Sequence, residues 1–201
     1  MNQELVQFIK KVQSISQIGL SFSDDPYAVE NYQELKKISI EMLASNSNIN
    51  LDQCDLYKDF IYPTPQPAVR TLIIGESHKV LLVQEKDSQL WSLPGGWCDI
   101  ECSPKESAIK EVLEESGYMI ECSRLLGVFD RRNYVEKSLY DVYCLYFLGN
   151  VVSGEGKCNH ETMDVNWFNI NELPPLSTKN SIEEIKTAYR VYKNNLETYF
   201  E

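Results

Sequence analysis

The sequence predicts an α/β protein: a sandwich of helices on a mixed sheet, preceded by a small all-helical N-terminal domain. Three observations carry this. Residues 1 to about 60 place apolar side chains at helical spacing. Tyr62-Pro63-Thr64-Pro65-Gln66-Pro67 then sets three prolines in six residues, which favours extended backbone and excludes helix. Beyond it, short runs rich in Val, Ile and Leu mix with few helical segments, a pattern of layered α/β folds rather than of a doubly wound sheet. The expected organisation is a helical domain over residues 1–61, a proline-rich linker over 62–67 and a catalytic domain over 68–201.

In the first segment Leu5, Phe8, Ile9, Val12 and Ile15 recur at helical spacing. The second opens with Asp25 as N-cap and Pro26 at the first helical position. Tyr32, Leu35, Ser39 and Met42 line one side of it, with Leu43 adjacent. Ser45 to Asn50 is a polar break, and Asp52 to Phe60 is expected to form a last short helix. After the linker, Ala68–Ile74 and Lys79–Gln84 read as a β-hairpin around Gly75-Glu76-Ser77-His78. Leu90–Leu93 is a short strand. Pro104–Ser116 is a helix closed by Gly117. Met119–Phe129, Leu139–Val152 and Val165–Phe168 are strands, and Glu172–Ser177 is turn-like. The last helix starts at Ser181, with Glu184 completing a capping box. Ile182, Ile185, Tyr189, Tyr192 and Leu196 form its apolar stripe.

The chain of 201 residues has a formal net charge of -11 and 43% hydrophobic residues. That balance argues against a nucleic-acid-binding face and against docking to anionic membranes, both of which need clustered Lys and Arg. It is compatible with an anionic substrate when cations invert the local charge. The six cysteines form no C-x-x-C pair and no metal or disulfide pattern. No run reaches membrane-spanning length and the N-terminus is amphipathic, so a cytoplasmic protein with reduced thiols is expected.

The informative segment runs from Leu93-Pro94-Gly95-Gly96 through Tyr118. On a helix, Glu111, Glu114 and Glu115 fall within about 100° of arc. Ala108, Ile109, Val112 and Leu113 lie toward the other side and are expected to pack on the sheet. Carboxylates on an exposed helix are ordinarily a solvated face. Here a glycine loop precedes them, a glycine closes the helix and strands flank both. Three carboxylates so close repel one another unless cations join them, and hard oxygen donors suit Mg²⁺ or Mn²⁺.

This segment resembles the Nudix box. Anchored on Gly117, the sequence supplies Gly96, Glu111, Val112, Glu114, Glu115 and Gly117 in place. Three positions depart: Cys102 stands for the first family Glu, Lys110 for the family Arg and Tyr118 for the closing aliphatic. Trp167-Phe168 followed by Glu172-Leu173-Pro174 is also similar to the family. The helical extension with its Tyr-Pro-Thr-Pro linker resembles a bacterial branch that cleaves nucleoside diphosphates linked to another group, such as ADP-ribose, CDP-choline or UDP-linked compounds.

The resemblance implies a Nudix-type α/β/α sandwich and metal-dependent pyrophosphate hydrolysis. It implies Glu111, Glu114, Glu115 and the Gly96 carbonyl as metal ligands, with Glu114 and Glu115 also catalytic. Glu161 is the downstream candidate for the general base. Arg131 and Arg132, after a strand end, are candidate phosphate contacts. Trp97, beside the glycine loop, could touch substrate or pack. Lys110 keeps the charge of Arg but not its bidentate geometry, and Glu101 stands next to Cys102 as a substitute carboxylate. A catalytically weak Nudix-like sensor of a nucleotide derivative is the competing reading. The apolar stripes of residues 1–61, and the habit of such enzymes, imply a homodimer.

Overall fold

The computed structural model describes residues 2–135 and 138–201, which divide into two compact units.

The first unit is built on α1 (Gln3–Phe22) and α2 (Pro26–Ser45). Asn2 caps α1 by accepting from the Glu4 N–H at 3.0 Å; Asp25 caps α2 by accepting from Ala28 N–H at 2.9 Å. The apolar stripe expected along α1 divides. Ile9 is buried with Leu43, Cys54 and Leu56, whereas Phe8 and Ile15 face outward, with Phe22 one further step of seven along. The core face of α1 is completed by polar Gln13 and Ser16. The helix expected over residues 52–60 is absent apart from one 3-10 turn, Leu51–Gln53. Gln13 explains how this stretch does without helical hydrogen bonds. Its buried amide donates to the Cys54 carbonyl at 2.9 Å and accepts from Leu56 N–H at 3.1 Å. Gln17 donates to the Phe60 carbonyl at 2.7 Å. Side chains of α1 thus replace three of the backbone partners that a helix would supply, and the segment takes an irregular path.

The second unit contains β1 (Gln66–Ile73), β2 (Val80–Glu85), β3 (Trp91–Ser92), α3 (Pro104–Ser116), β4 (Tyr118–Asp130), β5 (Val142–Gly154), β6 (Thr162–Phe168), α4 (Ile182–Lys193) and β7 (Tyr199–Phe200). One mixed sheet runs β1-β5-β4-β7, with β1 parallel to β5 and β7 parallel to β4; a second, antiparallel sheet runs β3-β2-β6. The expected hairpin of β1 and β2 does not form; beyond the single bridge Ile74↔Val80 the two strands enter different sheets. The cause lies at the edge of β1. Val69 N–H donates to the Gly96 carbonyl at 2.8 Å and Thr71 N–H to the Pro94 carbonyl at 3.0 Å, so the glycine loop occupies the edge that β2 would need.

Residues of β1 alternate between two cores. Val69 and Ile73 pack with Ala108 and Val112 of α3, whereas Ala68 and Leu72 pack with Ile185 and Ala188 of α4. This is the layered α/β/α arrangement. β7 is an element the sequence did not announce: α4 stops at Lys193, and the following residues return as a two-residue parallel strand beside β4. Leu196 therefore lies beyond the helix whose stripe it was expected to continue.

Candidate active site

α3 is fixed at both ends by local chemistry. Ser103 and Glu106 form a reciprocal capping box, and Pro104 opens the first turn. At the other end Gly117 adopts φ 74°, donates to the Leu113 carbonyl at 3.0 Å, and has the Glu155 carbonyl 2.6 Å from where a Cβ would stand. Only glycine fits there.

The three carboxylates on α3 span a gradient of burial. Glu115 is 3% exposed and shares the inward face with Ala108 and Val112. Its Oε2 accepts the Gly95 N–H at 2.8 Å. Glu111 is half-buried against Gly96, where a Cβ would lie 2.7 Å from Glu111 Oε1. Glu114 is exposed, with Lys110 Nζ 3.9 Å away. Leu113, expected on the sheet side, is 44% exposed; Glu115 takes an inward position instead.

The glycine loop earns its two glycines at Gly95, whose φ is 144° and whose missing Cβ would stand 2.2 Å from the Val69 carbonyl oxygen. That close approach lets β1 pair with the loop. The Gly96 carbonyl accepts Val69 N–H, so one of its two lone pairs is already engaged.

The departures at positions 102 and 110 have a local answer. Lys110 forms an ion pair with Asp99, and Asp99 N–H donates to Ser107 Oγ at 3.3 Å. Asp99, rather than Glu101, thus provides the carboxylate that meets the cation of α3, and the loop is pinned to the helix without a carboxylate at Cys102.

Glu161 stands at the head of β6. The neighbouring Thr162 donates from Oγ1 to the Glu115 carbonyl at 2.9 Å, and Asn159 Oδ1 accepts both Glu161 N–H and Thr162 N–H at 2.8 and 2.9 Å. The charge of Glu161 adds to the upward push on both Glu111 and Glu115, so the loop acid shares their field. His160 is solvent-exposed, with Nε2 3.3 Å from Glu161.

The two arginines go elsewhere. Arg131 is 8% exposed, forms a buried ion pair with Glu184 and donates to the Thr178 carbonyl. A phosphate contact would require breaking that pair, and its geometry makes Arg131 an anchor of α4. Arg132 is half-exposed and pairs with Asp130 in its own turn. Two cations missed by sequence reasoning act on the acidic centre instead: Arg70 lowers the pKa of both Glu111 and Glu115, and Lys179 that of Glu115. The alternation of β1 buried Arg70 within an apolar run, and a buried arginine was the available signal.

Burial, reinforced by Glu115, pushes the Glu111 carboxyl up to about 7. Burial also raises Glu115, against the pull of the Gly95 N–H. Among the described residues no three Asp, Glu, His or Cys side chains converge as a ready metal cage. The donor chemistry nonetheless fits a hard divalent cation: oxygen donors on one ledge, with the Glu111 carboxyl held up by burial even against the pull of Arg70. The folded chain favours protonated Glu111, so the metal-free protein binds more protons than the unfolded one between pH 4.5 and about 7. Its stability therefore falls as pH rises through that window. For a half-exposed group the loss is on the order of 1 kcal/mol after solvent screening. Thermal melts in chelator from pH 5 to 8 should show the decline, and Glu111→Gln should flatten it. An unchanged slope in that variant would reassign the effect.

Comparison with known proteins gives a consistent picture. Residues 64–189 match the NUDIX domain family, and residues 3–56 match the family described as a UDP-X-like N-terminal oligomerisation domain. The chain is 41% identical over 173 residues to YjhB of Bacillus subtilis (strain 168), provisionally named an ADP-ribose pyrophosphatase, covering 85% of this chain and 83% of that one. A solved UDP-X diphosphatase is similar over 98% of both chains, with 30% identity and a TM-score of 0.66. A solved ADP-ribose pyrophosphatase from Streptococcus suis shares 36% identity over 69% of this chain and 100% of that one, with a TM-score of 0.62.

Proposed function

Since the chain belongs to the NUDIX family and is a hydrolase of that family, we propose that it cleaves the pyrophosphate bond of nucleoside diphosphates linked to a second group, with Mg²⁺ or Mn²⁺ as cofactor. ADP-ribose and UDP-linked compounds are the first substrates to test, because the similar proteins carry those names. The observation that carries the reading is the ledge of Glu111, Glu114 and Glu115 beside a glycine loop, with Glu161 in the same field.

In this reading Glu111, Glu114, Glu115 and the free lone pair of the Gly96 carbonyl hold the metal. A bound divalent ion would supply charge neutralisation of the diphosphate and acidify a water. The chain's own residues do the rest. Glu115 is held by the Gly95 N–H, so one oxygen is fixed and the other is left to the site. Exposed Glu114 could exchange Lys110 for a bound cation without leaving a buried partner. Glu161 is the proposed acceptor of the water proton, set in place through Thr162 and Asn159. Arg132 is the surface cation proposed to meet a phosphate by exchanging Asp130 for it.

The test is release of phosphate from ADP-ribose, CDP-choline and a UDP-sugar in Mg²⁺ or Mn²⁺, with a phosphatase added to convert the monophosphate products. Hydrolysis of at least one supports the reading. Binding of all without cleavage would favour the sensor reading, for which Cys102 and Lys110 are the motive.

Residues 1–61 are proposed as the dimerisation and substrate-selecting domain, 62–67 as its linker and 68–201 as the catalytic domain. Phe8, Ile15 and Phe22 are 61%, 46% and 66% exposed at seven-residue spacing, an outward apolar stripe whose last member meets the Tyr62 ring edge-on. An isologous contact covers such a stripe with a second copy. Light scattering is expected to give a homodimer for the full chain and a monomer for Phe8→Ser/Ile15→Ser/Phe22→Ser; a monomeric wild type at tens of micromolar (roughly the range for a specific contact) would overturn it. Among the described residues no helix is long and apolar enough to cross a membrane. Six free cysteines support a reducing, cytoplasmic setting.

A further inference from the structure

Four buried polar atoms that make no hydrogen bond come from β1, β5 and the start of α4, elements that pack on one another in the catalytic unit. They are Arg70 Nη1, Tyr146 OH, Asn180 Nδ2 and Glu184 Oε1. Their residues are 7%, 0%, 2% and 0% exposed. The topology brings them together. Arg70 of β1 and Tyr146 of β5 are register partners and share a face. Arg70 Nε reaches the Lys179 carbonyl at 3.5 Å, which places the guanidinium beside Asn180. Glu184 lies on the first turn of α4, four residues after Asn180, and pairs with Arg131.

Buried polar groups left unsatisfied are costly because they lose water without gaining a partner, so such a set calls for a bridging partner. The chemistry of the set identifies it. Two atoms only donate, one only accepts and the Tyr146 hydroxyl does either. A single water placed among them would accept from Arg70 and Asn180 and donate to Glu184 and Tyr146, which is within the usual valence of a buried water.

This cluster lies behind the glycine loop. Asn180 Oδ1 accepts the Leu93 N–H at 2.9 Å, and the missing Cβ of Gly95 would stand 2.9 Å from Arg70 Cα. We propose that Arg70 is a positioning residue for the hydrolytic centre: through a buried water shared with Tyr146, Asn180 and Glu184 it fixes the Leu93–Gly96 segment from behind, and with it the amide that orients Glu115. The proposal rests on the hydrolase reading for its kinetic arm only.

Two measurements test it on the full-length chain. In metal-free, substrate-free protein, hydrogen exchange of the peptide spanning residues 91–98 should quicken about tenfold in Arg70→Met, while β4 and β5 stay protected, since loss of a local anchor opens a local unit. In Mg²⁺ with the best substrate of the panel, kcat should fall about 10–100-fold with KM within about threefold, the signature of a displaced catalytic group. Arg70→Lys, which keeps the charge but not the fork, should fall between. If Arg70→Met does not fold, Arg70→Lys decides alone. Unchanged exchange over residues 91–98, or a loss spread evenly over all elements, would overturn the proposal. An inactive wild type would remove the hydrolase reading and leave the exchange arm standing.

Discussion

Glu115→Gln is expected to lower kcat by about three orders of magnitude, roughly 4 kcal/mol of transition-state stabilisation, while the protein stays folded. The substitution is informative because of how Glu115 is held. It is buried, and one carboxylate oxygen accepts the Gly95 N–H at 2.8 Å. A glutamine amide oxygen can accept the same bond, so the loop remains in place and only the charge is removed. Burial that raises the Glu115 carboxyl pKa also makes the amide easy to accommodate. Stability should be unchanged or slightly raised in the absence of metal. Glu114→Gln should lose turnover comparably, likewise through the removed charge of a proposed ligand, and with even less effect on the fold, since Glu114 is exposed. The measurement is steady-state kinetics at saturating Mg²⁺ or Mn²⁺ beside a thermal melt. A folded Glu115→Gln enzyme within tenfold of wild type would remove Glu115 from the centre.

Gly95→Ala is expected to destabilise the catalytic unit by about 3 kcal/mol or more and to abolish activity with it. Its φ of 144° lies where L side chains are strained, and the added Cβ would meet the Val69 carbonyl oxygen at 2.2 Å and Arg70 Cα at 2.9 Å. Both obstacles are backbone, so no rotamer change relieves them. The loop must leave β1, which breaks the Val69–Gly96 and Thr71–Pro94 bonds. Gly96→Ala provides the contrast: the atoms in its way belong to the flexible end of Glu111. That variant should fold well and lose activity by displacing a carboxylate. Urea unfolding separates the two. A Gly95→Ala midpoint equal to that of wild type would refute the close-approach argument.

Much of this fold follows from chemistry local in the chain. The helix Pro104–Ser116, with its capping box and glycine stop, follows from local rules, because caps and turns are satisfied within a few residues of chain. The same holds for the start of α4 and for Asp25-Pro26 at α2. The spacing of Glu111, Glu114 and Glu115 placed three carboxylates on one stretch of helix, and the glycine loop before them marked a close backbone approach.

Other features depend on partners distant in sequence and formed only as the layers packed. The apparent hairpin of β1 and β2 was dissolved by the glycine loop, which takes the edge of β1 in ladder bonds that no local pattern announces. The expected helix over residues 52–60 gave way to an irregular path because Gln13 and Gln17, some forty residues earlier, satisfy its backbone. Glu115 turned inward because the Gly95 amide was there to meet it. Arg131 left the solvent for Glu184, and Arg70 entered the site from an apolar-looking strand, since both ion fields are assembled from separate elements. Local hydrogen bonding and periodicity act over one or two turns of chain; strand edges, buried charge and orphaned amides are settled only when the layers close.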